Sequence, residues 1–238
     1  MMLFFRWLLI LVGMSFFSQS YAGVVLNGTR VIYNEGQREV QVRMNNTDEK
    51  PFLLQNWIDD GQTDALPADI QVPFTLSPPI TRIEANGGQV LRIFYTGEAL
   101  PSDVESVFWL NVLAAPSKNK SLEGENQLQI AFRTRIKLFY RPKSLKGMTL
   151  TKAFKEVSVS SSGNAVKINN KTPFHISIAK VSITVGDKVY KTEGEMVSPR
   201  DHDTFRFSEL SQIPTGAKLN ISYINDYGGT SIIERTIE

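Results

Sequence analysis

The chain has 238 residues, with 26 lysines and arginines against 24 aspartates and glutamates, a formal net charge of +2 and no cysteine. So even a balance argues against nucleic acid as the main partner. The lack of thiols excludes a disulfide scaffold, a thiol enzyme and a cysteine-ligated metal site. The first element is a leader. Met1–Ala22 opens with a single charge, Arg6, and continues through the apolar run "WLLILVGMSFF" (7–17). It closes on "SQSYA", which places small Ser20 and Ala22 where a signal peptidase reads. The apolar run is well short of the ~20 residues that span a bilayer. Cleavage after Ala22 is expected, leaving an exported Gly23–Glu238 whose length suits one large domain or two of about 100 residues.

Short alternating runs follow. "EVQVRM" (39–44) puts Val40, Val42 and Met44 on one face, "QVLRIFY" (89–95) alternates similarly, and "SVFWLNV" (106–112) is rich in aromatic and branched residues. Turn signals at 45–51, 59–67 and 85–88 punctuate them. Strands at this spacing predict an antiparallel sandwich, and no stretch carries a capped 3.6-residue period. After Tyr140 the segment "RPKSLKG" (141–147) reads as a linker. A second set of strands is predicted at 156–161, 165–170, 175–185, 188–191, 218–224 and 231–237. The fold class is therefore all-β: two immunoglobulin-like β-sandwich domains, 23–142 and 147–238, arranged with a cleft between them.

The catalytic inventory is thin. His175 opens an apolar alternating run and reads as an ordinary strand residue. His202 lies in "RDHDT" between Asp201 and Asp203, a pattern that fits a solvated turn better than a metal site. Asp59 and Asp60 are adjacent and read as turn residues, not as a general acid and base. No P-loop, HExxH or GxSxG motif is present. No catalytic residue, metal or cofactor is expected.

The most informative stretch is "LQIAFRTRIKLFYRP" (128–142). Leu128, Ile130, Phe132, Thr134, Ile136, Leu138 and Tyr140 share one face, whereas Arg133, Arg135 and Lys137 share the other. Thirteen residues of strand would span about 43 Å at ~3.3 Å each. Two readings stand on pattern alone. Either the whole run is internal and its apolar face is core, or the first half overhangs as an exposed edge, a hazard tolerated when a partner needs it. Arg133 and Arg135 read as solubilising edge charges.

The segments "RIKLFYRP" (135–142), "PSDVESVFWLNV" (101–112), "LSPPITRIEANGGQVLRI" (76–93) and "SYINDYGG" (222–229) closely resemble the periplasmic chaperones of bacterial chaperone–usher pilus assembly. "GVVLNGTRVIY" (23–33) resembles the mature start of that family, which supports the same cleavage site. The resemblance spans nearly the whole mature chain. The short 117–127 loop and the missing cysteines place it with the short-loop branch. It departs from the usual pattern at Val104, where a polar or charged residue is common, and at Ala115, where an aliphatic one is.

The resemblance implies a non-enzymatic periplasmic chaperone that needs no ATP. It would bind pilin subunits, which lack a final strand, by inserting Leu128, Ile130 and Phe132 into their open groove, a form of strand addition. It would then deliver them to an outer-membrane usher. Arg30 and Lys137 match the family's two cleft cations and would anchor the subunit's C-terminal carboxylate. Glu105, Arg141 and Asp226 match a charge triad that links the domains. An exposed edge would also allow the unloaded protein to self-associate by capping it. Two other classes fit the sequence less well. A pilus or adhesin subunit would lack its last strand and usually carry a disulfide, and an exported carbohydrate-binding sandwich would need paired carboxylates or an aromatic platform. Trp57 and Trp109 read as core residues rather than as such a platform.

Overall fold

Apolar residues that recur every second position can bury one face of a strand, and this pattern dominates the computed structural model, which describes residues 23–117 and 128–237. The leader lies outside the described residues. In the first half, β1 (Val24–Leu26), β3 (Val40–Asn46), β7 (Gly88–Tyr95) and β5 (Phe74–Ser77) form one sheet in that order. The other sheet runs β2 (Arg30–Asn34), β9 (Phe132–Arg141), β8 (Ser106–Pro116), β4 (Phe52–Asp59) and β6 (Ile80–Ile83). The two share one core: Met44, Leu91 and Ile93 from the first, Leu54, Leu110 and Leu138 from the second. Tyr33, Phe74, Phe108 and Tyr140 cluster at one end of it, with Phe74 and Phe108 edge to face at 5.1 Å.

The second half has its own core. β10 (Ser158–Ser162), β11 (Ala165–Asn169) and β15 (His202–Arg206) form one sheet. β13 (Lys188–Glu193), β12 (Ile176–Val185), β16 (Lys218–Ile224) and β17 (Thr230–Thr236) form the other, with β14 (Met196–Val197) paired to the start of β12. The segment read as a linker is seated rather than loose. Lys143–Leu145 forms a 3-10 turn and buries Leu145 in the second core. A one-turn helix, α1 (Leu150–Ala153), follows, and Thr149 caps it by accepting from the Lys152 amide.

The long run is strand over only part of its predicted length. β9 starts at Phe132, and 128–131 precede it outside any strand. β9 pairs antiparallel with β8 from Phe132 to Tyr140 but parallel with β2 only from Lys137 to Arg141. β2 begins at Arg30 and cannot reach further back. From 132 to 136 one side of β9 is hydrogen-bonded to β8 and the other side has no strand beside it among the described residues.

Candidate functional site: an open strand edge and a cationic cleft

The alternating face of 128–140 passes from solvent into the core. Leu128 is 88% exposed, Ile130 53% and Phe132 68%, whereas Leu138 and Tyr140 are buried and Ile136 packs against the core. The internal reading of this run does not hold. Three large apolar side chains stand in water in a row, leading into a stretch of backbone edge that has no partner among the described residues, which is the arrangement that invites another strand.

The bare edge ends at two cations. The parallel β2–β9 register sets Arg30 directly beside Lys137. They line a cleft between the two halves together with Thr29, Trp109, Ser177 and Gly228. The Lys137 Nζ donates to Ser177 Oγ at 3.3 Å, and the Arg30 guanidinium lies 5.3 Å from the centre of the Phe139 ring. The Arg30 Nε is buried without a hydrogen-bond partner. Burial lowers the proton affinity of both groups, and for Lys137 the neighbouring Arg30 charge adds to the effect. Neither makes an ion pair with a described carboxylate. Two half-buried cations side by side with no anion between them form a site that a carboxylate would stabilise.

The structure also brings Glu105, Arg141 and Asp226 together. The Arg141 guanidinium donates to Glu105 Oε1 from Nε (3.0 Å) and Nη2 (2.8 Å), and to the two Asp226 oxygens from Nη1 and Nη2, both at 3.0 Å. Burial alone would lower the Arg141 pKa, but the two carboxylates outweigh it and hold the charge in place. The other Glu105 oxygen accepts from the His175 amide (3.0 Å), and the Glu105 amide donates to the Pro173 carbonyl (2.9 Å). Glu105 is thus 3% exposed and bonded to both halves of the molecule. His175, read as an ordinary strand residue, belongs to this boundary: it sits just ahead of β12 with its imidazole 5.8 Å from Phe139. No local sequence signal reveals it, because its partner is 70 positions away.

Asp226 is presented by a loop that "NDYGG" folds on itself. Asn225 Oδ1 accepts from the amides of Tyr227 and Gly229, and the Asn225 amide donates to the Gly229 carbonyl. Gly228 adopts φ +82°, and a Cβ there would lie 2.5 Å from Thr29 Oγ1, so both backbone and space demand glycine. The Thr29 hydroxyl donates to the Gly228 carbonyl at 3.1 Å, which ties this loop to the residue before Arg30.

Five residues stand differently from their sequence reading. Asp59 is no turn residue but the fully buried end of β4. Arg133 and Arg135 are not free edge charges. Arg135 donates to both Asp59 oxygens (2.5 and 3.2 Å), and Arg133 bonds Asn111 Oδ1 (2.9 Å) and the Thr63 carbonyl (2.8 Å). Trp57 and Trp109 lie on the outer face of the sheet, half-buried, each beneath one of these arginines at 5.0 and 4.6 Å. With the guanidiniums over them, the two indoles offer no open aromatic platform to a sugar. Asp201, His202 and Asp203 form no metal-binding group, and no cluster of three potential ligands occurs among the described residues.

Residues 23–146 match the pili and flagellar-assembly chaperone model, PapD N-terminal domain, and 152–234 match the pili assembly chaperone PapD, C-terminal domain. The Escherichia coli K12 protein named "Probable fimbrial chaperone YadV" is 41% identical over 91% of this chain and 90% of its own. Among solved structures, the CupB2 chaperone of Pseudomonas aeruginosa superposes with a TM-score of 0.78 at 37% identity, covering 90% of this chain and all of that one. The SafB chaperone of Salmonella enterica, crystallised in complex with the SafA pilin, gives a TM-score of 0.76 at 28% identity, covering 92% and 99%.

Proposed function

The chain belongs to the PapD family of pilus-assembly chaperones, and from that premise we propose that it shelters pilin subunits by lending them the run from Leu128 into β9 while its cleft holds their C-terminal carboxylate. The observation that carries this reading is a juxtaposition. The exposed run of Leu128, Ile130 and Phe132 leads into β9, whose edge from 132 to 136 has no partner among the described residues and ends at Arg30 and Lys137. Backbone hydrogen bonds along the edge give affinity that tolerates many guest sequences, and the alternate side chains fill the guest's open groove. The paired cations then fix register, because a slip of one residue would turn every inserted side chain to the wrong face. The Glu105–Arg141–Asp226 cluster holds the two halves at the angle that shapes the cleft. The protein works in the periplasm and passes its guest to an outer-membrane usher, where another subunit's strand displaces the lent one. Its relative SafB, caught with a pilin, supports this choice of guest.

The test begins with co-purification from periplasm and identification of the bound subunit. A synthetic peptide copying that subunit's C-terminal segment is then measured as free acid and as amide. The free acid should bind at least a hundredfold more tightly, the scale of leaving a buried charge unpaired (~3–5 kcal/mol). Arg30→Ala or Lys137→Ala should abolish most of that difference in a protein that remains folded. Equal binding of acid and amide would refute the clamp.

A further inference from the structure

The outer side of the lent strand carries a cluster that neither the edge nor the clamp explains. The Asp59 carboxylate is completely buried at the end of β4, yet it is surrounded by donors: Arg135 through two nitrogens, Asn111 Nδ2 at 2.6 Å and the Gly61 amide at 2.8 Å. Arg133 joins the same group through Asn111 and stands 3.6 Å from Asp59. These contacts reach from β9 across the whole width of β8 to β4, and they involve residues 133 and 135, which lie within the segment whose opposite edge is bare. Every strand that pairs on both sides is held by two ladders; this segment has one. Its odd-numbered side chains Arg133 and Arg135 make these cross-sheet contacts on the opposite face.

We propose that Asp59, acting through Arg135 and Arg133, is a positioning residue that keeps the empty donor strand straight and in register before a guest arrives. A strand already ordered loses less freedom on binding, so its affinity for a guest is higher than that of a fraying edge. This inference rests on the lent-strand reading, but its first test needs no guest.

Hydrogen exchange on the full unloaded chain should show the β8-paired amides of 132–136 exchanging roughly ten- to a hundredfold faster in Asp59→Asn than in the parent, the scale of hydrogen bonds to a charged group. Amides of β16 in the other domain should be unchanged, and Asp59→Glu should restore most of the protection. If Asp59→Asn does not fold, Arg135→Gln, which spares the buried carboxylate's other donors, carries the same expectation. Unchanged exchange at 132–136, or acceleration spread evenly over both domains, would overturn the proposal. With the subunit peptide, Asp59→Asn should weaken the free acid and the amide by the same factor, whereas Arg30→Ala should erase the difference between them. Loss of only the acid–amide difference in Asp59→Asn would assign Asp59 to the clamp and refute a role in positioning the strand. Absence of peptide binding in the parent would refute the lent-strand reading while leaving the exchange result to stand.

Discussion

Asp226→Ala probes the cluster that joins the domains. The substitution removes two 3.0 Å bonds from one face of the Arg141 guanidinium and leaves the Glu105 face intact. Breaking a fully buried ion pair costs ~3–5 kcal/mol. Two features reduce the figure here: the Asp226 side chain is about one-fifth exposed, and Arg141 keeps a carboxylate partner. A loss of about 2 kcal/mol follows, within the range for hydrogen bonds to charged groups. For a chain of this length 1 kcal/mol moves the melting temperature by roughly 2–4 °C, so a fall of about 4–8 °C is expected by circular dichroism. Glu105→Gln should cost more, because Glu105 also accepts the His175 amide. Since the bonds cross between the halves, small-angle scattering of Asp226→Ala should show a broader distribution of inter-domain distances. An unaltered melting temperature together with an unaltered scattering curve would refute the view that this cluster sets the cleft.

Binding of the free-acid peptide should also depend on alkalinity. Burial and Arg30 place the Lys137 pKa below the ordinary lysine value of about 10.4. The protonated form therefore costs the unloaded fold stability at every pH below the lowered value, and the cost fades as pH climbs from there to the ordinary value. Affinity for a carboxylate moves the opposite way and should fall as pH rises through the lowered value, a fall that isothermal titration would find absent in Lys137→Ala; a flat profile in the parent would count against Lys137 as an anion ligand. At the cleft floor, Gly228→Ala should destabilise by more than the ~1–3 kcal/mol of a left-handed non-glycine residue, because its methyl also meets Thr29 Oγ1. Adding Thr29→Ala should recover the steric part alone, and a double-mutant cycle showing no coupling would refute the close approach.

How much of this was legible in the sequence depends on the distance over which each feature is encoded. The alternation of 128–140 lies within one run and correctly separates the apolar face from the basic one. The same holds for β16, whose predicted bounds are those observed. Strands β5 and β6 are four residues each around Pro78 and Pro79, and β15 is mostly polar, so none of them carries a readable period. The point where β9 becomes strand is set by its partner β8, and the start of its second ladder by β2, a parallel neighbour about a hundred positions upstream. No local pattern announces such a pairing. The cleft cations and the triad are marked only by family resemblance, since Arg30 and Lys137 are 107 positions apart and look like any surface charges. Asp59 is hidden for the same reason: beside Asp60 and Gly61 it resembles a turn, and only the fold brings Arg135 over it.

The topology also constrains the direction of a guest. β2 runs parallel to β9 and begins at Arg30, opposite Lys137. The bare edge lies on the N-terminal side of that point, from 132 to 136, so a guest strand there occupies the line of β2 extended backwards. If its C-terminal carboxylate rests on Arg30 and Lys137, the guest must approach that end with its own C-terminus and so run parallel to β9. An antiparallel guest would leave its carboxylate near Phe132, about 17 Å from the cations at ~3.3 Å per residue. Such a clamp would select polarity as well as register, whereas the row of apolar side chains, being periodic by two, rejects a one-residue slip but tolerates a slip of two residues or a reversed strand. Unclamped, the same row would accept slipped or reversed strands, which is the aggregation hazard of any exposed edge. On that reading Arg30 and Lys137 would turn a generic sticky edge into a site for a chain terminus.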